Sequence, residues 1–232
     1  MAKLEKSGIK RIVTIYAVLI IEAVITFIAA GRIDLPRVWA YFGLVTVCQS
    51  LVFVIMFILF PQMVEVVNAR GEIKINKWWD MIFAIFFSLS TIILIPAVIG
   101  LDVGRFGWSY LNEWWMVVGI VFLLGSVFLA EWALIENKFF ETAVRIQKER
   151  GHKVISTGPY SIIRHPGYVA MIFLYFSFPL IAGSFYSLFL SSFTALLLVI
   201  RTALEDKTLK MELDGYTEYT KRVKYRLLPG IW

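Results

Sequence analysis

The feature that most restricts this chain is a succession of apolar runs, each long enough to be buried in hydrocarbon. Crossing about 30 Å of bilayer core takes roughly 20 mostly apolar helical residues. Residues 12–30, 37–60, 79–99 and 114–135 each meet that length, and the breaks between them fall at Gly, Pro and charged residues. With 59% hydrophobic residues and a mean hydropathy of +0.74, the chain is too apolar for a water-soluble domain of 232 residues. The sequence therefore describes an all-α, polytopic membrane protein.

A fifth apolar region, 168–200, is too long for one span and barely long enough for two. Gly183 and Ser184 near its middle predict a short helical hairpin with arms at 168–182 and 186–203. At about 1.5 Å per residue such arms reach only some 22 to 27 Å. The expectation is six transmembrane helices, the last two being this hairpin.

Loop charges give that count an orientation, because Lys and Arg are retained on the cytoplasmic side during insertion. Lys3, Lys6, Lys10 and Arg11 precede the first helix, and Arg70, Lys74 and Lys77 lie in the second loop. The fourth loop holds Lys138, Arg145, Lys148, Arg150, Lys153 and Arg164, and the C-terminal tail carries the rest. Of the 23 basic residues, only Arg32, Arg37 and Arg105 fall on the alternate loops. Both termini are thus expected in the cytoplasm, and the net charge of +6 suits contact with anionic headgroups. No nucleic-acid motif stands apart from the membrane segments, so no nucleic-acid partner is expected. The first apolar run is longer than a signal-peptide core and reads as a retained anchor. Cys48 is the sole cysteine, which excludes an intrachain disulfide and a thiolate-built metal site.

Without internal repeats or linkers the chain reads as one domain in two parts. Residues 1–135 form a transmembrane scaffold, and 136–232 comprise a cytoplasmic connector, the hairpin and the tail. Glu22 and Glu131 lie within apolar runs, where an ionisable group invites suspicion of function. The structural reading is preferred: Glu131 reaches the interface, and Glu22 is protonated or bonded to a neighbouring helix.

The stretch GHKVISTGPYSIIRHPGYVA, residues 151–170, holds both histidines of the chain. Its paired Gly and Pro residues predict an ordered turn over 156–168, whose free peptide groups must be satisfied by protein, water or ligand. Tyr160, Arg164, His165 and Tyr168 add hydrogen-bonding and stacking groups suited to an aromatic, charged, nucleoside-like cofactor. The plainer reading is an interfacial loop, since Tyr and Arg gather at headgroups anyway. A second cluster lies in 199–232, where Arg201 and Glu205 stand four apart on one helix face. Arg preceding Glu is the weaker order for an intrahelical pair, so a shared site explains both charges better.

These stretches resemble the isoprenylcysteine carboxyl methyltransferase family and the wider group of membrane methyltransferases that includes phospholipid N-methyltransferases. The resemblance rests on HKVISTGPYSIIRHPGY, then RTALED, YTEY and a terminal LLPG, over roughly the last 90 residues. It implies that S-adenosylmethionine is held by Gln147, His152, Val154, Ile155, Tyr160, His165, Pro166, Gly167, Tyr168 and Glu205. Arg145 is an alternative to Gln147. Arg201 would face the methyl acceptor, so that Arg201 and Glu205 form the catalytic pair. Gly167 stands where Ser is common in relatives, and Asp206 replaces the second Glu of a frequent acidic pair.

The implied activity is S-adenosylmethionine-dependent O-methylation of a carboxylate on a lipophilic, isoprenylcysteine-like acceptor, with a prenyl or acyl tail arriving from the bilayer. A carboxylate is nucleophilic at neutral pH and requires no general base, so the protein's task would be alignment and desolvation. Three alternatives stand beside it: a phospholipid N-methyltransferase, a steroid-type membrane reductase using NADPH, and a non-enzymatic lipid-binding scaffold. The reductase would place the extra phosphate on Arg145, Lys148, Arg150 and Lys153.

Overall fold

The computed structural model describes residues 3–71, 75, 77–141 and 143–232. Lys74, one of the basic residues assigned to the second loop, lies outside them. All regular structure among the described residues is helical: α1 (Lys6–Ala30), α2 (Pro36–Leu59), α3 (Met63–Arg70), α4 (Trp78–Ser88), α5 (Ile95–Ile99), α6 (Glu113–Glu136), α7 (Pro166–Ala182), α8 (Phe185–Glu212) and α9 (Tyr216–Arg222).

Five helical segments are long and apolar enough to cross a membrane: α1, α2, the continuous helix Trp78–Phe106 that contains α4 and α5, α6 and α8. Their surfaces agree, since Ile20, Val24 and Ile28 of α1 and Val117, Val121 and Phe128 of α6 are exposed. Such a pattern belongs to a multi-pass membrane protein.

Local chemistry sets the helix ends. Pro36 and Pro166 open α2 and α7, where the missing amide costs nothing and φ is already helical. Gly31 closes α1 at φ 68°, and Gly183 closes α7 at φ 89° with its amide on Pro179. Ser184 then caps α8, its hydroxyl accepting from the Ser187 amide. Pro96 lacks the amide that an α-helix needs and crowds the carbonyl one turn back, so the helix widens into a π-turn over Leu89–Leu94.

Two expectations are revised. The second arm of the 168–203 region is a long helix, because the polar run after residue 203 continues α8 through Glu212 on tertiary contacts such as Lys77 Nζ to Glu212 Oε1, 2.7 Å. Residues 166–168 belong to the first turn of α7 rather than to the preceding turn, whose 3-10 portion is confined to Gly158–Ser161.

Packing brings the elements together at small residues. Gly100 and Gly104, four apart, sit against Thr26 and Ala30 of α1, where a side chain would leave under 3 Å. Gly119 lets α6 approach Ile181 of α7 in the same way. A core of Val38, Tyr41, Ile99, Leu123, Phe178 and Ile181 fills the middle, with Tyr41 and Phe178 stacked at 3.9 Å.

The two ends of the bundle differ in character. At one, Arg37 donates to the carbonyls of Leu111, Leu180 and Ile181, and Asp102 accepts from Ser109 and Ser184. At the other lie the chain start, bound by Asn68 to Glu5 and Lys3, together with the connector between α6 and α7 and the C-terminal segment.

Candidate cofactor cleft

The C-terminal segment is what makes the irregular stretch before α7 possible. The amides of Arg164 and His165 donate to the carbonyls of Tyr225 and Arg226, satisfying backbone that no helix covers. The Arg164 side chain reinforces the contact: Nη1 donates to Val223 O and Lys224 O, both at 2.9 Å. Nε and Nη2 reach Asp206 at 2.8 and 3.2 Å.

Asp206 is the centre of a buried network. It also accepts from Tyr216 Oη at 3.0 Å and from Arg226 Nε at 3.2 Å, and His165 Nε2 lies 3.5 Å away. A carboxylate bonded by two guanidiniums and a phenol keeps its charge in place and ties α8, α9 and the chain end to the 164–165 segment.

One residue earlier in sequence, Glu205 points elsewhere. Tyr168 donates its hydroxyl to Glu205 Oε2, and Arg201 Nη1 donates to the Tyr168 oxygen. Arg201 is further held by Asp80 of α4, with Nε at 2.8 Å and Nη2 at 2.7 Å from Oδ1. Asp80 also accepts from the Val144 amide at 2.7 Å, so it joins α4, the connector and α8. The Glu205 side chain keeps 21% of its surface accessible and faces a cleft.

That cleft has about 740 Å³ of empty space, its open mouth included, and is lined by residues between Asn137 and Tyr219. Among the residues expected for a cofactor, His152, Val154, Ile155, Tyr160, His165, Gly167, Tyr168 and Glu205 all line it. Gln147 and Pro166 do not. Gln147 turns inward, Nε2 donating to Phe139 O at 2.7 Å and Oε1 accepting from Arg150 at 2.5 Å. Pro166 is spent on opening α7. Arg145, the alternative to Gln147, is on the wall, paired with Glu141 and Glu149. Arg201 is behind the wall, 3% exposed, and touches the cleft through Tyr168.

The electrostatics favour neutral rings around one accessible carboxylate. Burial and the neighbouring Arg150 and Arg145 push the His152 imidazole down to about 4, so it is uncharged at neutral pH and stacks on Phe139 at 4.6 Å. Burial raises the Tyr160, Tyr216 and Tyr219 phenols, which stay protonated donors; Tyr219 Oη donates to Tyr160 O at 2.6 Å. His165 lies parallel to Tyr168, centroids 5.6 Å apart. Flat aromatic faces, the apolar Val154, Ile155, Leu209 and Leu213, and an acidic group at the inner end suit a ligand that combines a heterocycle with a positive centre.

Sequence reasoning missed Asp80, Phe140, Tyr216 and Tyr219. The tyrosines had a signal, being three apart in YTEY and hence on one helix face. Asp80 had a weaker one, an acidic residue opening an apolar run. Phe140 had none, since aromatic residues in a polar connector are ordinary.

Among curated proteins, the chain is 29% identical over 101 residues to the Bacillus subtilis (strain 168) protein titled "Uncharacterized protein YpbQ". The match covers 43% of this chain and 58% of that protein's length, little more than half of it. Residues 117–211 match the isoprenylcysteine carboxyl methyltransferase (ICMT) family, a region that takes in most of α6, the connector, α7 and nearly all of α8. That region, less than half of the chain, is similar to the ICMT family of membrane methyltransferases.

Proposed function

We propose that the protein is an integral membrane methyltransferase that uses S-adenosylmethionine to O-methylate a carboxylate on a lipophilic acceptor. The observation that carries this reading is the cleft at Glu205, whose aromatic walls and single accessible carboxylate fit an adenosyl sulfonium. When bound, S-adenosylmethionine supplies an electrophilic methyl group; the carboxylate oxygen forms the new O–C bond as the S–C bond breaks, giving a methyl ester and S-adenosylhomocysteine.

The chain's own residues do the rest. Tyr160, Tyr216, Tyr219 and His152 offer rings and neutral donors to the nucleoside, while Val154, Ile155 and Leu209 exclude water from it. Glu205 faces the positive charge, held in place by the Tyr168 hydroxyl. Arg201 serves the acceptor side through Tyr168, its guanidinium fixed by Asp80. In this reading residues 1–135 are the scaffold and 136–232 the catalytic region, consistent with a cleft whose lining starts at Asn137. The six-helix topology, with α7 and α8 as a hairpin, puts both termini and the cleft in the cytoplasm, where a soluble cofactor arrives.

Calorimetry on detergent-purified protein tests the reading. S-Adenosylmethionine and S-adenosylhomocysteine bind, and Glu205→Ala or Tyr160→Ala removes most of that binding. Tight NADPH binding with no response to either adenosyl compound would overturn it.

A further inference from the structure

The segment after α9 supports the cofactor cleft from behind, and the methyltransferase reading leaves its outer surface unused. Residues 221–232, KRVKYRLLPGIW, carry Lys221, Arg222, Lys224 and Arg226 and no acidic residue. Leu227 and Trp232 join the apolar cluster of Phe87, Tyr175 and Leu198, which belong to the membrane helices α4, α7 and α8. The segment is therefore fastened to the wall of the bundle. Its last residues fold back on themselves: Gly230 takes φ 82°, and the amides of Arg226, Leu227 and Leu228 donate to one main-chain oxygen of Trp232 at 2.9, 3.1 and 3.3 Å. The turn so formed holds apolar side chains outward, and Ile231 keeps 78% of its surface accessible. Ile162, on the stretch that pairs with this segment, is exposed as well.

The cations beside that turn are open to a partner. Lys221 is shared with Glu218 at 2.7 Å, whereas Arg222 and Lys224 are exposed and form no ion pair among the described residues. Free cations next to exposed apolar side chains match the boundary between anionic headgroups and acyl chains. An acidic protein surface would satisfy Arg222 and Lys224 but not Ile231. The inner side of the same segment reaches the cleft by two routes. Tyr225 O and Arg226 O accept from the amides of Arg164 and His165, both on the cleft wall. Arg226, its guanidinium 4.6 Å from the Trp232 ring centroid, donates Nε to Asp206, which also holds the hydroxyl of the cleft-lining Tyr216.

We propose that residues 222–232 form an anionic-lipid sensor: Arg222 and Lys224 bind phospholipid headgroups, the 228–231 turn rests in the headgroup layer, and that contact steadies the 164–165 backbone and Asp206 behind the cofactor cleft. Control of cofactor binding by lipid rests on the methyltransferase reading, whereas the membrane contact does not. Without anionic lipid the segment loosens, and the Arg164 and His165 amides lose their acceptors more often.

The test compares full-length protein in nanodiscs of phosphatidylcholine alone with nanodiscs in which phosphatidylglycerol replaces part of it. A fluorophore on Ile231→Cys, in a Cys48→Ser background, reports the turn through quenching by lipid spin-labelled near its headgroup. Hydrogen exchange reports the Arg164 and His165 amides. Anionic lipid is expected to raise the quenching about twofold, slow that exchange about tenfold and tighten S-adenosylhomocysteine binding about threefold. Arg222→Gln/Lys224→Gln removes all three differences in protein of unchanged size-exclusion profile. Lys3→Gln/Lys10→Gln, the same loss of charge near the chain start, keeps them. Equal quenching or equal exchange in the two lipids, or responses that survive Arg222→Gln/Lys224→Gln, would overturn the sensor. S-Adenosylhomocysteine bound equally well in both lipids overturns its control of the cleft. Wild-type protein that shows the quenching and exchange responses yet binds no S-adenosylhomocysteine in either lipid supports the sensor and overturns the methyltransferase reading instead.

Discussion

Tyr168 is the side chain that joins Arg201 to Glu205 within RTALED. Its hydroxyl receives from Arg201 and gives to Glu205, so two residues four apart on α8 meet through a third from α7. Tyr168→Phe keeps the ring and removes that bridge. Hydrogen bonds to charged groups are worth about 1.5–3 kcal/mol, so calorimetry should find S-adenosylhomocysteine binding at least tenfold weaker, with the helical content unchanged. His152 gives a pH-dependent counterpart. Its imidazole titrates near 4 in the fold and near 6.5 in an unfolded chain, so between those values the unfolded state binds more protons. Stability is therefore lost as pH falls from about 6.5 to 4. Thermal melts across that window should show a falling midpoint, and His152→Phe, which keeps the stack on Phe139, should flatten that part of the curve.

At the scale of elements, close approach depends on missing side chains. A Cβ on Gly100 would stand 2.2 Å from the Thr26 carbonyl oxygen of α1, backbone that cannot swing away. Gly100→Ala is expected to separate α1 from the Trp78–Phe106 helix and cost about 1–3 kcal/mol, read as a lower melting temperature in detergent. The long apolar helices were legible from the sequence, because apolar length, Pro at the start and Gly at the end are local properties, whereas the short α3 and α9 were not read from it. The exceptions have tertiary causes. The last turns of α8 are polar and look like tail, yet they stay helical because Asp206 and Glu212 are bonded to Arg164 and Lys77, residues distant in sequence.

For the whole molecule, charge division is the property that matters most. Arg37 and Arg105 cap helix carbonyls at one end of the bundle, whereas the chain start, the connector and the C-terminal segment gather at the other. In a background with Cys48→Ser, single cysteines at Lys6 and Leu228 should react with membrane-impermeant maleimide only after cells are opened. A cysteine at Ile33 should react in intact cells. The opposite pattern would place the cleft away from the cytoplasm and its soluble cofactor.

The sequence by itself determined that this chain is helical and belongs in a membrane, and it pointed to 151–170 and 201–205 as the candidate site, since length, hydropathy and motif order need no knowledge of contacts. Eight of the ten residues expected at the cofactor line one cleft. Only the tertiary structure decided that Gln147 turns inward and that Arg201 stands behind Tyr168 on Asp80. The direction of a polar side chain depends on which partner lies nearest once the helices pack, and those partners are as many as 121 positions away in the chain.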